Sequence, residues 1–158
     1  MRTSIFAKQS NLKPSAMRTV AERRYGDANA LRNTGANERA NGVAYLAGFV
    51  VEILLKALLV EGCPSIARTS QHAPIGRENK KSFLVWRSHD LEEILASMPE
   101  LEAALTKKGE IAGHAYFSDL KVICATWTIQ ARYSSHSMTM KDASVMLDKV
   151  GTLKELLK

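Results

Sequence analysis

The 158-residue chain is poor in the residues that build tight turns, with nine glycines and four prolines. A β-sandwich or small barrel needs many such turns, and no strand–helix alternation marks a parallel sheet, so both all-β and α/β classes are disfavoured. Aromatic residues make up 6% of the chain. Leu, Ala, Val, Ile and Met must therefore supply most of the core. The two cysteines, Cys63 and Cys124, stand far apart and outside any metal or redox motif, which suits a reducing compartment. The first residues, Met1-Arg2-Thr3-Ser4-Ile5-Phe6, lack the long apolar stretch of a signal peptide, and a cytoplasmic protein is expected. There is no Gly-rich phosphate loop, no Ser-His-Asp arrangement, and no pairing of His72 or His114 with other ligands at zinc spacing. Neither a metal nor a cofactor is expected.

What is present is helical periodicity over one domain, 1–158, with 46% hydrophobic residues, enough for a substantial core. Residues 1–12 read as a flexible arm. A first helix starts near Pro14, a residue suited to a first turn, and carries Met17, Val20, Ala21, Ala28 and Leu31 on one face, with Gly35 as its C-terminal stop. A second runs from about Glu38 to Glu61 and is apolar nearly all round, so it is expected to be central or to face a second subunit. Its stretch from Gly42 to Val60 approaches the length of a membrane span. Glu52 and Lys56 lie in it, however, each costing about 2.5–3.5 kcal/mol near a bilayer centre, so a buried core helix without membrane contact is expected. The two stand four apart in the order that favours an ion pair.

Residues 64–87 read as a long, basic, polar loop, a length that in compact domains marks function or disorder. Ser88-His89-Asp90-Leu91 opens the third helix, with Ser88 suited to the N-cap and Asp90 to the positive end of the helix dipole. A short helix, Glu100 to Lys108, follows Pro99. The fourth main helix spans about Tyr116 to Tyr133 with two apolar faces, one of Tyr116, Leu120, Ile123, Trp127 and Ala131, the other of Val122, Ala125 and Ile129. Two such faces suggest a second contact, such as another subunit. The last helix begins at Thr139 with Asp142 three residues on, in the manner of a capping box. The expected architecture is an all-α, antiparallel up-and-down bundle of about five helices, dimerising through its second or fourth helix.

The net charge of +6 is unevenly spread. Residues 1–40 hold eight basic against three acidic side chains, and residues 62–89 five against one, whereas residues 90–110 hold two against six. Arg18, Arg23 and Arg24 on the first helix, with Arg77, Lys80, Lys81 and Arg87 from the loop, are candidate phosphate contacts. Aromatic interleaving of these segments is sparse, which argues against a single-strand stacking platform.

Several segments together resemble the HEPN domain of bacteria and archaea. They are Arg24-Tyr25-Gly26-Asp27-Ala28 leading to Gly35, Ala44-Tyr45-Leu46-Ala47-Gly48-Phe49-Val50-Val51-Glu52-Ile53-Leu54-Leu55-Lys56-Ala57-Leu58, then His89-Asp90-Leu91, and Trp127 followed by Arg132-Tyr133. The resemblance covers roughly residues 18 to 157, and the Glu–Lys helix and the His-Asp-Leu start carry most of it. It implies a helical bundle that dimerises, often encoded beside a nucleotidyltransferase or antitoxin partner in toxin–antitoxin, CRISPR or phage-defence systems. Some members are metal-independent ribonucleases with an Arg and a following His from each subunit. Here Arg132 and His136 are separated by three residues, fewer than that motif has, and Met138 stands where some toxins carry a modified Tyr. The leading expectation is thus a non-catalytic module that binds a partner protein, a nucleotide or RNA. A ribonuclease toxin using Arg132 as phosphate clamp and His136 as proton carrier is the alternative. A purely structural dimeric adaptor is the second alternative. Glu52, Lys56, His89 and Asp90 are expected as structural polar residues: a register-setting ion pair and a helix cap.

Overall fold

The computed structural model describes residues 13–68, 80–109, 111–127 and 138–158, and every regular element among them is helical. Among these residues there are seven α-helices: α1 (Pro14–Arg32), α2 (Ala40–Gly62), α3 (Lys80–Trp86), α4 (Leu91–Ala96), α5 (Glu100–Gly109), α6 (Ile111–Thr126) and α7 (Met140–Leu156). Short 3₁₀ turns at Asn37–Arg39 and Pro64–Arg68 precede and follow α2.

The starts and stops follow from local chemistry. Pro14 opens α1, where a missing N–H leaves nothing unpaired. Past its end, Gly35 adopts a φ of 67°, a conformation that a side chain would strain. Thr139 caps α7: its hydroxyl oxygen accepts from the Asp142 N–H at 3.2 Å and donates to the Asp142 carboxylate at 2.6 Å.

The centre of the molecule is α2. Val43, Ala47, Val50, Val51, Leu55 and Ala57 are fully buried, because α1 and α7 pack along it and α3 and α4 close its C-terminal half. By length and composition the segment Asn37–Gly62 would cross a bilayer, but 72% of its most apolar window is buried within the bundle. The α1 face includes fully buried Ala21 and Ala28, small residues that let α1 lie close on α2. Trp127, just past α6, is 4% exposed and reaches back to α2, where its indole N–H donates to the Tyr45 carbonyl at 3.2 Å. Its ring covers the Gly48 position so closely that a Cβ there would overlap it. The α1 and α7 helices are tied by Lys154, whose ammonium donates to both Glu22 oxygens at 2.8 Å and to Glu155 at 2.6 Å, and lies 5.2 Å from the Tyr25 ring centre.

Four expectations need correction. Seven helices stand among the described residues instead of about five, because the polar stretch 64–87 holds the 3₁₀ turn and α3. Ser82, Leu84 and Val85 of α3 are buried, and its residues pack against α2. The remainder of that loop, residues 69–79, lies outside the described residues, as does the arm 1–12. The N-cap of α4 is Asp90, whose carboxylate accepts from the Glu93 N–H at 3.0 Å; the Ser88 hydroxyl accepts from the Asp90 N–H instead. The helix expected from Tyr116 begins at Ile111, and α6 ends at Thr126, with residues 128–137 outside the described residues. Val20, expected on the apolar face of α1, is 38% exposed. As expected of a helix apolar nearly all round, α2 is central: it is covered within its own chain along most of its length.

Candidate functional site

The two sequence features that carry the resemblance meet in space. A spacing of four puts Glu52 and Lys56 on one face of α2, and that face meets the residues leading into α4. The Lys56 ammonium donates to Glu52 Oε1 at 2.7 Å and to the Ser88 carbonyl at 2.6 Å. His89 Nδ1 lies 3.0 Å from the same Glu52 oxygen. Glu52 is 2% exposed and Lys56 8%, whereas nearly half of the His89 side chain is open to solvent.

A carboxylate oxygen only accepts, so this contact is a hydrogen bond when Nδ1 carries the proton. In the neutral ring, Nε2 is then the basic nitrogen. A buried carboxylate that fixes the tautomer and plane of a half-exposed imidazole is the arrangement that prepares a histidine to bind or to exchange a proton. Lys56 neutralises Glu52 from within, so the pair presents no net charge behind the ring. Glu52 Oε2 is buried with no hydrogen-bond partner among the described residues. Asp90 is engaged as the cap of α4, its carboxylate accepting from the Glu93 N–H.

The candidate phosphate contacts divide. Arg18 is held by a two-pronged bridge to Glu61 at 2.7 and 3.1 Å, which keeps the Glu61 carboxyl below its usual range. Arg24 pairs with Asp27 at 3.0 Å, and Lys80 with Glu93 at 3.5 Å. Arg23 and Lys81 are exposed and have no ion pair among the described residues. Arg87 is also exposed and stands two residues from His89. Lys80 and Lys81 thus stand in α3 and Arg87 directly after it, in the chain that leads to His89, while Arg18, Arg24 and Arg32 of α1 are engaged in bridges. Arg77, Arg132 and His136 lie outside the described residues. The flanks of the segment holding the last two are anchored on α2: Trp127 on the Tyr45 carbonyl, and the Met138 N–H on the Asn41 side-chain oxygen at 2.9 Å.

Among the described residues no group of three or more His, Cys, Asp or Glu side chains could hold a metal ion. Cys124 is 3% exposed, and burial, with Glu92 and Asp90 nearby, pushes its thiol up to about 12, away from thiolate chemistry. Sequence reasoning had Glu52 paired with Lys56 and His89 with its own helix. It missed that His89 turns to Glu52, 37 residues away. It also missed Ser88, which contributes a carbonyl that no side-chain pattern encodes. Compared with known proteins, the chain matches no family model, no curated protein and no solved structure.

Proposed function

We propose that this chain is a non-catalytic, HEPN-like binding module whose ligand is phosphate-bearing, either RNA or a nucleotide, in a defence or toxin–antitoxin-like system. The observation that carries the reading is the half-exposed His89 imidazole, held by the buried Glu52 carboxylate directly after the basic helix α3. A protonated imidazole donates from both nitrogens. With Nδ1 engaged by Glu52, Nε2–H is the donor left for a phosphate oxygen. Lys81 and Arg87 supply further cations in the same stretch of chain. The net charge of +6 adds long-range attraction for polyanions. A nucleotidyltransferase or antitoxin protein fits the same reading as the partner that uses or controls the ligand.

The test is binding of a labelled mixed RNA pool and of ATP in EDTA, followed by fluorescence anisotropy across a salt series. The wild-type chain is expected to bind, with an affinity falling linearly in log salt. His89→Ala, whose fold is checked by thermal melting, is expected to bind at least about tenfold more weakly, the loss of roughly one charge-assisted hydrogen bond. Binding that is absent at low salt, or equal in wild type and variant, would sink the proposal. RNA cleavage in EDTA that disappears in Arg132→Ala or His136→Ala would replace it with the ribonuclease reading.

A further inference from the structure

The chain on both sides of His89 is held by hydrogen bonds. The Arg87 and Ser88 N–H groups donate to the Phe83 carbonyl at 2.8 and 3.3 Å, and the Ser88 carbonyl accepts from Lys56 at 2.6 Å. The Asp90 N–H donates to the Ser88 hydroxyl at 3.1 Å, and the Asp90 carboxylate caps α4. The ring is held too, by the 3.0 Å contact from Nδ1 to Glu52. Neither the cap nor the buried pair requires that contact: α4 is capped by Asp90, and Lys56 already neutralises Glu52 at 2.7 Å. The contact leaves the two ring nitrogens unlike. Nδ1 is engaged, whereas Nε2 has no hydrogen-bond partner among the described residues, on a side chain 47% exposed. His114, on α6, is the contrast, because it is exposed and neither of its ring nitrogens has a partner among the described residues.

We infer that His89 Nε2 is a phosphoryl-acceptor site, modified by a donor of the phosphoramidate class. This rests on the reading of His89 as the group that faces phosphate, and takes it from a hydrogen bond to a covalent bond. With the proton on Nδ1, the neutral ring carries its free electron pair on Nε2. That pair attacks the phosphorus and forms an N–P bond. The P–N bond of the donor breaks, and the amine leaves with its electron pair. One N–P bond replaces another, so atoms and electrons balance between the two reactants, and the energy of the bond broken matches that of the bond made. The Nδ1 proton stays on the ring, which gains positive charge as the new bond forms. A carboxylate facing Nδ1–H fixes the tautomer and stabilises that charge, which is the part Glu52 takes here as a positioning residue. Lys56 offsets the Glu52 charge towards the incoming anionic phosphoryl group, so the carboxylate steadies the ring without repelling the donor.

The full chain is incubated with potassium phosphoramidate, the label is located by peptide mapping among the four histidines, and the modified nitrogen is assigned by phosphorus–proton NMR correlation. His89 is expected to be labelled on Nε2 alone, and at least about tenfold faster than His114, the effect of one charge-assisted hydrogen bond that strengthens as the ring becomes charged. Glu52→Gln keeps an oxygen to accept from Nδ1–H but loses the charge. It is expected to slow labelling of His89 at least about tenfold without moving the label from Nε2, with the melting temperature reporting its fold. If that variant does not fold, the nitrogen and the rate ratio in wild type decide. Label on His89 Nδ1, labelling of His89 no faster than of His114, or a folded Glu52→Gln chain labelled at the wild-type rate overturns the inference. RNA or ATP binding that is lost in His89→Ala while wild-type His89 shows no preferential labelling defeats this step alone and leaves the binding reading in place; absence of both defeats the two together.

Discussion

Replacing Lys56 by Met, with and without replacing Glu52 by Leu, separates the energetics of the buried pair from those of the helices around it. In the native chain Glu52, 2% exposed, accepts from Lys56 at 2.7 Å and from His89 at 3.0 Å. Lys56→Met leaves that carboxylate in the core with the imidazole as its one described partner. Removing one member of a buried pair is strongly destabilising, by about 3–5 kcal/mol, because the other charge stays desolvated. Glu52→Leu strands the ammonium, which keeps only the Ser88 carbonyl. The double variant strands no charge. It loses the tie to Ser88 and the support of His89, but buries two apolar chains, and is expected within about 1 kcal/mol of wild type. The cycle should then show a coupling of about 3 kcal/mol or more. With a urea slope of about 2 kcal/mol/M, a single variant shifts the midpoint down by about 2 M, and the double variant returns it close to native. Additive single effects below about 1 kcal/mol would refute the reasoning, because they would mean that the Glu52 carboxylate is solvated in the folded chain.

Two further outcomes follow from the packing and from the surface charges. Gly48→Ala drives a methyl group into the Trp127 indole and should destabilise by about 1–3 kcal/mol through overpacking, with about 1 kcal/mol more if the bond to the Tyr45 carbonyl is lost. In a Trp86→Phe background, Trp127 emission should move to the red; an unchanged melting temperature and spectrum would show that the ring does not lie on Gly48. The second outcome concerns acid. Bonds from Lys154 and Lys158 hold the Glu22 and Glu155 carboxyls below their usual range, Glu155 down to about 2. The folded chain therefore binds fewer protons than the unfolded one, and this contribution, complete above about pH 4.5, is lost as pH falls towards 2. Urea midpoints at falling pH should decline less in Glu22→Gln with Glu155→Gln than in wild type. Because Glu155 is fully exposed, salt should narrow the difference. Equal acid slopes in the two proteins would contradict the assignment.

Much of the helical scaffold was legible in the chain because its signals are local. Pro14, Gly35 and the Thr139–Asp142 box act within one turn, and the period of apolar residues in α2 and α7 reports a buried face whatever packs against it. The short elements were harder. In α3, seven residues cannot hold a helix by propensity, and it forms because Leu84 and Val85 find the side of α2. Such a contact depends on where the rest of the chain has gone.

The candidate site shows the same division. The sequence by itself determined that Glu52 and Lys56 share a helix face, that His89 and Asp90 stand at a helix start, and that positive charge gathers in 1–40 and 62–89. Which of those groups meet was decided only by tertiary structure. Lys56 takes the Ser88 carbonyl, and Glu52 holds His89, because α4 enters beside the C-terminal half of α2. Likewise Glu92, Glu102 and Lys121 are ordinary surface charges in the sequence, and line one groove only because α4, α5 and α6 pack together. The physical reason is range. Caps and periodicity act over a few residues, whereas a buried charge finds its partner, and an exposed one lacks it, according to contacts made across dozens of positions in the chain.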